Sequence, residues 1–186
     1  MSTTTTASAT PTQTVWKIDP SHSLIEFSVR HLMITTVKGR FGGVEGTVRL
    51  DDANPAAVDV DVRIDVSSID TREPQRDVHL RSADFFEAEK YPHITFAARR
   101  PIARKGNVFE LAGDLTIHGV TREVVLDVTE EGRGKDPWGG ERIGFSATAK
   151  IKRSDFGLTW NQALETGGVL VGDEIKIALE LELLKV

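Results

Sequence analysis

The chain has 186 residues, of which 39% are hydrophobic and 27% are charged, a composition typical of one globular domain. Its 23 basic and 28 acidic side chains give a net charge of −5, which argues against a nucleic-acid partner because such proteins need a basic face. The sequence contains no cysteine, which excludes disulfide scaffolds, thiolate zinc sites and cysteine nucleophiles.

The first residues are rich in threonine and carry neither a basic region nor the apolar run of a secretory signal. We therefore predict a disordered polar tail over residues 1–13, a single domain over residues 14–186, and a cytoplasmic location. The sequence has no run of about 18 apolar residues, so stable insertion into a membrane is not expected.

Apolar and polar residues alternate through the first third of the chain, which predicts strands with one buried face. Strands are expected over residues 15–18, 22–30 and up to Leu50, with an apolar run at residues 32–34 that predicts a bend with exposed apolar surface. The clearest alternation sets Val58, Val60, Val62 and Ile64 against charged neighbours. A slip of one residue would bury three carboxylates there, so the register is strongly fixed.

The alternation stops between residues 67 and 96, where a short helix is predicted around residues 73–83. Pro74 suits the first turn of this helix, and Asp70 or Thr71 is expected to cap it. The helix is short and polar, so tertiary contacts must hold it, and we interpret it as a lid or plug. The arginines near it are suited to a phosphate head group, but the interleaved aspartates favour an Arg–Asp network that pins the helix.

Strand patterns return over residues 109–117, 124–128, 143–151 and 175–183. His118 and Gly119 are expected to form a two-residue hairpin turn, and a glycine-rich link is expected over residues 132–140. About eight strands with short connections and no helices between them favour an all-β fold, a closed antiparallel eight-stranded barrel that leaves no exposed edges.

Some residues expected to face the barrel interior are small, namely Gly113, Ala147 and Ala149. They lie on strands that also carry inward-facing phenylalanines, and this combination favours an open apolar bore. The alternative is that small and large residues interdigitate and fill a tapered barrel. The segment from Asp155 to Gly172 carries more apolar area than a solvated loop should hold. It is expected either to cover the mouth of the barrel or to build a homodimer interface.

Catalytic patterns are weak in this chain. The five histidines form neither HxH nor HExxH, and no GxSxG motif occurs. We therefore predict no metal, no cofactor, no catalytic residues and no enzymatic activity.

Long motifs of the segment at residues 68–96 carry a family resemblance. They read Ser68-Ile69-Asp70-Thr71, then Arg76-Asp77-x-His79-Leu80-Arg81-Ser82-x-Asp84-Phe85-Phe86, then Tyr91-Pro92-x-Ile94-x-Phe96. Further motifs follow in family order, including Trp16-x-Ile18-Asp19, residues 113–121 and Asp155-Phe156-Gly157-Leu158. Over roughly Val15 to Leu184, the chain resembles the YceI-like family, the bacterial polyisoprenoid-binding proteins with a lipocalin-like barrel.

The resemblance implies a lipocalin-like barrel that binds and sequesters or transports a long isoprenoid lipid, such as a prenyl quinone or a prenyl phosphate. Fatty acid or fatty amide carriage, a lipid-modifying enzyme and a filled-barrel dimeric interaction module are the alternatives. His31, Arg76 and Arg81 are the candidates for the head group. The full set of expected ligand-binding residues is Phe27, Val29, His31, Met33, Phe41, Arg76, Leu80, Arg81, Phe85, Phe86, Phe96, Phe109, Leu115, Phe145, Ala147, Ala149, Phe156, Trp160 and Leu164.

Overall fold

The computed structural model describes residues 13–51, 53–54 and 57–186. These residues form one α-helix and a sheet of eleven strands. The strands are β1 (Gln13–Ile18), β2 (Leu24–His31), β3 (Thr35–Phe41), β4 (Val44–Asp51), β5 (Val58–Asp65), β6 (Ile69–Asp70), β7 (His93–Lys105), β8 (Val108–Ile117), β9 (Val120–Lys135), β10 (Glu141–Lys152) and β11 (Val171–Lys185); the helix is α1 (Pro74–Arg81). The disordered tail was predicted over residues 1–13. Residues 1–12 lie outside the described residues, and Gln13 is the first residue of β1.

The strands close into a ring. Every pairing is antiparallel, and the order β1-β4-β5-β7-β8-β9-β10-β11 returns to β1 through the pairing of β1 with β11. Three strands extend this ring, because β2 also pairs with β11, β3 pairs with β2, and β6 pairs with β3. Since β1–β2, β3–β4 and β5–β6 are each consecutive in the chain, each couple is one long strand with a short interruption. The predicted closed eight-stranded barrel is confirmed.

The interruptions are short segments of irregular backbone. A 3₁₀ turn at Pro20–His22 separates β1 from β2, Gly42 and Gly43 separate β3 from β4, and a 3₁₀ turn at Val66–Ser68 separates β5 from β6. The breaks on neighbouring strands lie at the same level of the sheet. Phe41 pairs with Ile69 on one side of the breaks, and Val44 pairs with Ile64 on the other side. The three breaks therefore lie side by side across three adjacent strands.

The interior follows the predicted parity. Val58, Val60 and Ile64 are buried, whereas Asp61 and Arg63 on the same strand are exposed. The hairpin turn at His118 and Gly119 is present, and both residues have the left-handed backbone that this turn requires, with φ of 52° and 72°. The register therefore follows the buried pattern, as the alternation predicts.

The antiparallel order gives the barrel two different ends. At one, which we call the lid end, lie the β2–β3 turn, residues 66–92 with α1, the β8–β9 turn and residues 153–170. At the other, the turn end, lie the β4–β5, β7–β8 and β9–β10 connections. Most of the irregular chain is thus concentrated at the lid end.

Two local predictions are wrong. The N-cap of α1 is Glu73, whose carboxylate accepts a hydrogen bond from the backbone N–H of Gln75, whereas Asp70 accepts from the backbone of Arg72. Arg72 has a left-handed backbone, φ 63°, which turns the chain between Asp70 and the helix. The glycine-rich link is also shorter than expected, since β9 continues to Lys135 and only residues 136–140 form the turn.

Candidate functional site

The barrel encloses a cavity of about 250 Å³. Its lining is almost entirely aliphatic and aromatic, and Glu26 and Arg153 are the ionisable residues among the described lining. The lining includes these residues predicted from the sequence: Phe27, Val29, Phe41, Leu80, Phe85, Phe86, Phe96, Phe109, Leu115, Phe145, Ala147 and Phe156. The cavity is larger than the apolar cavity of about 150 Å³ that holds a benzene molecule.

The remaining candidates lie outside this lining. His31 is half-buried opposite Val171, Met33 is exposed at the β2–β3 turn, and Ala149 is buried within the wall. Trp160 packs against the lid and Leu164 is half-buried in the segment before β11. A ligand contact at these positions, or at Arg76 and Arg81, stays a prediction.

Two phenylalanines lie flat against the wall because a glycine faces each of them. A Cβ at Gly39 would overlap Cζ of Phe27, its cross-strand partner on β2. A Cβ at Gly113 would overlap Cζ of Phe96. The ring of Phe96 thus fills the space at Gly113, as expected if small and large residues interdigitate at that position. The ring nevertheless packs against the wall and leaves the bore open.

The lid is α1 together with the turn that follows it. Leu80, Phe85 and Phe86 line the cavity from this side, whereas Val78 on α1 is 65% exposed. The ring of Phe86 packs edge-on against Phe41 of the barrel, with 6.0 Å between the ring centroids. The lid therefore contributes apolar area to the cavity and closes one end of it.

Polar contacts fix the lid to the chain before it. Asp77, which is only 7% exposed, accepts hydrogen bonds from the backbone N–H and the hydroxyl of Thr71, at 2.9 and 2.5 Å. Arg76 donates to the hydroxyl and carbonyl oxygens of Thr71, and Arg81 donates to the carbonyls of Ser67 and Ile69. The predicted Arg–Asp network is wrong: Arg76 and Arg81 bind Thr71 and the backbone carbonyls beside β6, and so cover that edge of the sheet.

The segment at residues 153–160 packs beside the lid. Phe156 and Leu158 are buried and line the cavity, and Trp160 contacts Phe85 and His79 of the lid with ring centroids 5.3 and 4.8 Å apart. His79 also pairs with Asp84 at 2.7 Å. This part of the segment covers the mouth of the barrel, in agreement with one of the two expectations for it.

Arg153 is a buried cation at the lid end that was not among the candidates. It continues the inward parity of Ala147 and Ile151, which is the signal that could have identified it. Its guanidinium donates to four backbone carbonyls, those of Leu158, Trp160, Val171 and Gly172. Burial lowers the pKa of its guanidinium below the usual value, while the charge of Asp173 acts in the opposite direction. An arginine stays charged in this setting, so a positive charge lies at one end of an apolar cavity.

One cluster has the residue types of a metal site. Potential ligand atoms of Asp19, His22 and Glu182 lie within 4.8 Å of one another. The guanidinium of Arg142 already donates to Asp19 and Glu182, and its Nε donates to Asp136. Because an arginine supplies the positive charge at these carboxylates, the cluster is an ion-pair network that joins β10, β11 and the end of β1.

Comparison with known proteins bears on the whole barrel. The YceI-like domain matches residues 16–183, which is nearly all of the described chain. The chain belongs to the YceI-like family. Among curated relatives, the protein YceI of Escherichia coli O157:H7 is 43% identical over 145 residues, which are 77% of this chain and 75% of the relative.

Solved structures share the fold. Burkholderia cenocepacia BcnA superposes with a TM-score of 0.77 at 26% identity, covering 89% of this chain and 98% of BcnA. A Saccharophagus degradans domain described as polyisoprenoid-binding superposes with a TM-score of 0.66 at 17% identity, covering 92% of this chain and 98% of that domain. The barrel fold is thus shared with these solved structures. In the part of the chain that the structure describes, no helix has the length and apolarity needed to cross a membrane.

Proposed function

We propose that this YceI-like protein binds one long isoprenoid lipid in its cavity and sequesters or transports it. The observation that carries the proposal is the hollow apolar bore, closed at one end by a lid whose inner face is also apolar. Burial of apolar surface supplies the driving force, at roughly 25 cal/mol per Å², although ordering of the chain offsets part of it. The Saccharophagus domain, described as polyisoprenoid-binding, supports the same ligand class.

The cavity as it stands suits part of a prenyl chain rather than its full length, since ligand pockets usually measure about 300–1,000 Å³. Phe85 and Phe86 on the lid are side chains whose movement would enlarge it. We therefore expect a longer chain to displace the lid rather than the strands, which the ladders hold in register.

Arg153 supports a second candidate, a fatty acid carrier, because a carboxylate would match its buried charge. A prenyl phosphate would satisfy the same guanidinium, so the charge alone does not separate the two ligands. Within the described lining, Glu26 and Arg153 are the ionisable residues, and Glu26 lies on the outward parity of β2. The site therefore suits binding better than acid–base chemistry, which needs a titratable pair at the ligand.

Native mass spectrometry of the purified protein, followed by organic extraction, tests the proposal. We expect an additional mass that matches a prenyl lipid, or uptake of an added prenyl quinone by the empty protein. A fatty acyl mass would favour the second candidate. Protein that is empty and takes up neither lipid would contradict both.

A substitution inside the bore sharpens this test. Ala147→Phe adds a ring to the cavity lining and should reduce prenyl uptake at least tenfold while the barrel stays folded. Thr148→Phe is the matched control, because the neighbouring side chain on β10 is exposed on the outer face. Fluorescence titration with a prenyl quinone measures both variants, and equal loss of uptake in the two would count against the bore as the binding site.

A further inference from the structure

The lid end carries a group of exposed apolar side chains that the cavity does not use. Met33 and Ile34 at the β2–β3 turn are 53% and 72% exposed, and Val169 in the segment before β11 is 38% exposed. A Cβ at Gly168 would lie 4.0 Å from Cγ of Met33, so the turn and the segment adjoin. We call Met33, Ile34 and Val169 the apolar tip, and contiguous exposed side chains of this kind mark interaction sites.

The backbone holds the tip in a conformation that its residues disfavour. Leu32 and Met33 have φ of 52° and 61°, the left-handed values for which two-residue turns normally use asparagine and glycine. The turn is fixed by hydrogen bonds from Ile34 N–H to His31 O, at 3.1 Å, and from Leu32 N–H to Leu170 O, at 2.8 Å. Large apolar residues thus occupy positions where small polar ones would fit the turn better, which indicates a role outside folding.

Beside the tip, the outer face of the same strands carries a row of lysines. Lys150 on β10 lies opposite Lys176 on β11, Lys176 lies opposite Ser28 on β2, and Ser28 lies opposite Lys38 on β3. The three lysines are exposed, and none of them has an ion-pair partner among the described residues. We call Lys38, Lys150 and Lys176 the lysine row.

The charge of this face is unusual for the molecule. Like charges directly opposite each other on a sheet destabilise it, and Lys150 and Lys176 are such a pair. Arg30 adds a further cation between the row and the tip, where it donates to the carbonyl of Met33. Glu26, Asp127 and Glu174 border the row, yet the protein as a whole has a net charge of −5. Four exposed cations, Arg30 and the lysine row, therefore lie together on the part of this face that leads to the apolar tip.

We infer that the apolar tip and the lysine row form a docking surface for an anionic lipid bilayer. A few apolar side chains on a protruding turn fit the boundary between head groups and acyl chains, and unpaired exposed lysines fit phosphate head groups. A protein partner would instead be expected to meet a broad surface of complementary shape. The inference rests on the proposed function, because a prenyl ligand resides in bilayers, and the tip lies at the lid end of the barrel.

Sedimentation with lipid vesicles tests the docking surface. The full-length protein should pellet with vesicles of equal parts phosphatidylglycerol and phosphatidylcholine but not with pure phosphatidylcholine vesicles. Salt at about 1 M, where the Debye length is near 3 Å, should abolish the binding. Equal pelleting with both compositions would overturn the inference.

Two double variants separate the two parts of the surface. Ile34→Thr/Val169→Thr and Lys150→Gln/Lys176→Gln should each weaken binding to the anionic vesicles about tenfold or more. Trp138→Ser is the matched control, because this tryptophan is 87% exposed at the turn end of the barrel. Circular dichroism shows that each variant is folded. Unchanged vesicle binding by both double variants, or loss of binding in the control alone, would overturn the inference.

Uptake of prenyl quinone from dilute ethanol solution is measured on the same proteins. This second measurement distinguishes failure of the docking surface from failure of the proposed lipid binding. Protein that takes up the lipid but never binds vesicles overturns the docking surface and leaves the proposed function standing. Protein that binds vesicles as expected but takes up no lipid supports the docking surface and contradicts the proposed function. A tip variant that changes a dimer into a monomer, in protein that does not bind vesicles, would assign the tip to contact between copies and overturn the inference.

Discussion

Single residues decide how much of the barrel interior is free. Gly39 is the clearest case, because the ring of Phe27 occupies the place of its missing side chain. A larger residue would force the ring away from the wall, and the bore is the open space that can receive it. A residue with no side chain thus controls the volume available to a ligand.

Gly39→Ala is therefore expected to reduce prenyl lipid uptake several-fold while it changes the thermal midpoint of unfolding only slightly. The nearest atoms to the added Cβ are the far end of Phe27 and a methyl group of Thr71, which can move more easily than backbone atoms. Gly42→Ala is the control, because no atom lies within 4 Å of a Cβ there. Fluorescence titration and differential scanning calorimetry measure the two effects, and uptake equal to that of the control would show that Phe27 does not limit the bore.

Which side chains face the interior was predictable wherever apolar and polar residues alternate regularly. The buried faces of β5 and β8 follow directly from the positions of their apolar residues, because a one-residue slip would bury charge. Arg153 was missed although it continues the parity of β10, since its stabilising carbonyls come from positions up to 19 residues away. Contacts made by irregular backbone across such separations leave no periodic signal in the sequence.

At the scale of elements, the lid depends on polar contacts more than on helix propensity. α1 is short and polar, and its hold on the barrel comes from Asp77, Thr71 and two arginines together with three apolar side chains. The position of the helix was predictable from Pro74 and the loss of alternation. Its true N-cap and the carbonyl partners of its arginines depend on a left-handed turn at Arg72 that the residue type does not favour.

Asp77→Ala should lower the free energy of unfolding by about 1–3 kcal/mol, because it leaves the buried N–H and hydroxyl of Thr71 without their acceptor. It should also speed the release of bound lipid, since the lid is then held less firmly. Asp84→Ala is the control, because that carboxylate is 51% exposed and pairs with His79 at the surface. Urea unfolding and stopped-flow lipid release measure the two effects, and a stability equal to that of the control would contradict the role of Asp77.

At the scale of the whole molecule, the Arg142 network ties the strands together and gives the barrel a predictable response to acid. A hydrogen bond from Arg142, and then one from the backbone of Gly140, lowers the pKa of Asp136 below its usual value near 3.8. The hydroxyl of Ser21, followed by His22 and Arg142, lowers the pKa of Asp19 in the same direction. A carboxylate whose pKa is lower in the folded state stabilises the fold above its unfolded pKa, and this stabilisation is lost as the pH falls below about 4.

Arg142→Gln should therefore lower the urea midpoint at pH 7, and the difference from the unchanged protein should shrink as the pH falls below about 4. Lys185→Gln is the control, because Lys185 pairs with Glu141 at the surface. Urea titrations between pH 3 and pH 7 measure both. A difference that stays constant over this range would show that the carboxylates bound by Arg142 do not contribute to the acid response.

The side-by-side breaks in three adjacent strands have a mechanical consequence. They form a crease across the wall, where the chain passes through 3₁₀ turns and a glycine pair instead of a continuous ladder. The two parts of the wall can pivot about such a crease without losing the hydrogen bonds on either side of it. We expect this crease to absorb small movements of the wall when the lid is displaced, while the register of the strands stays fixed.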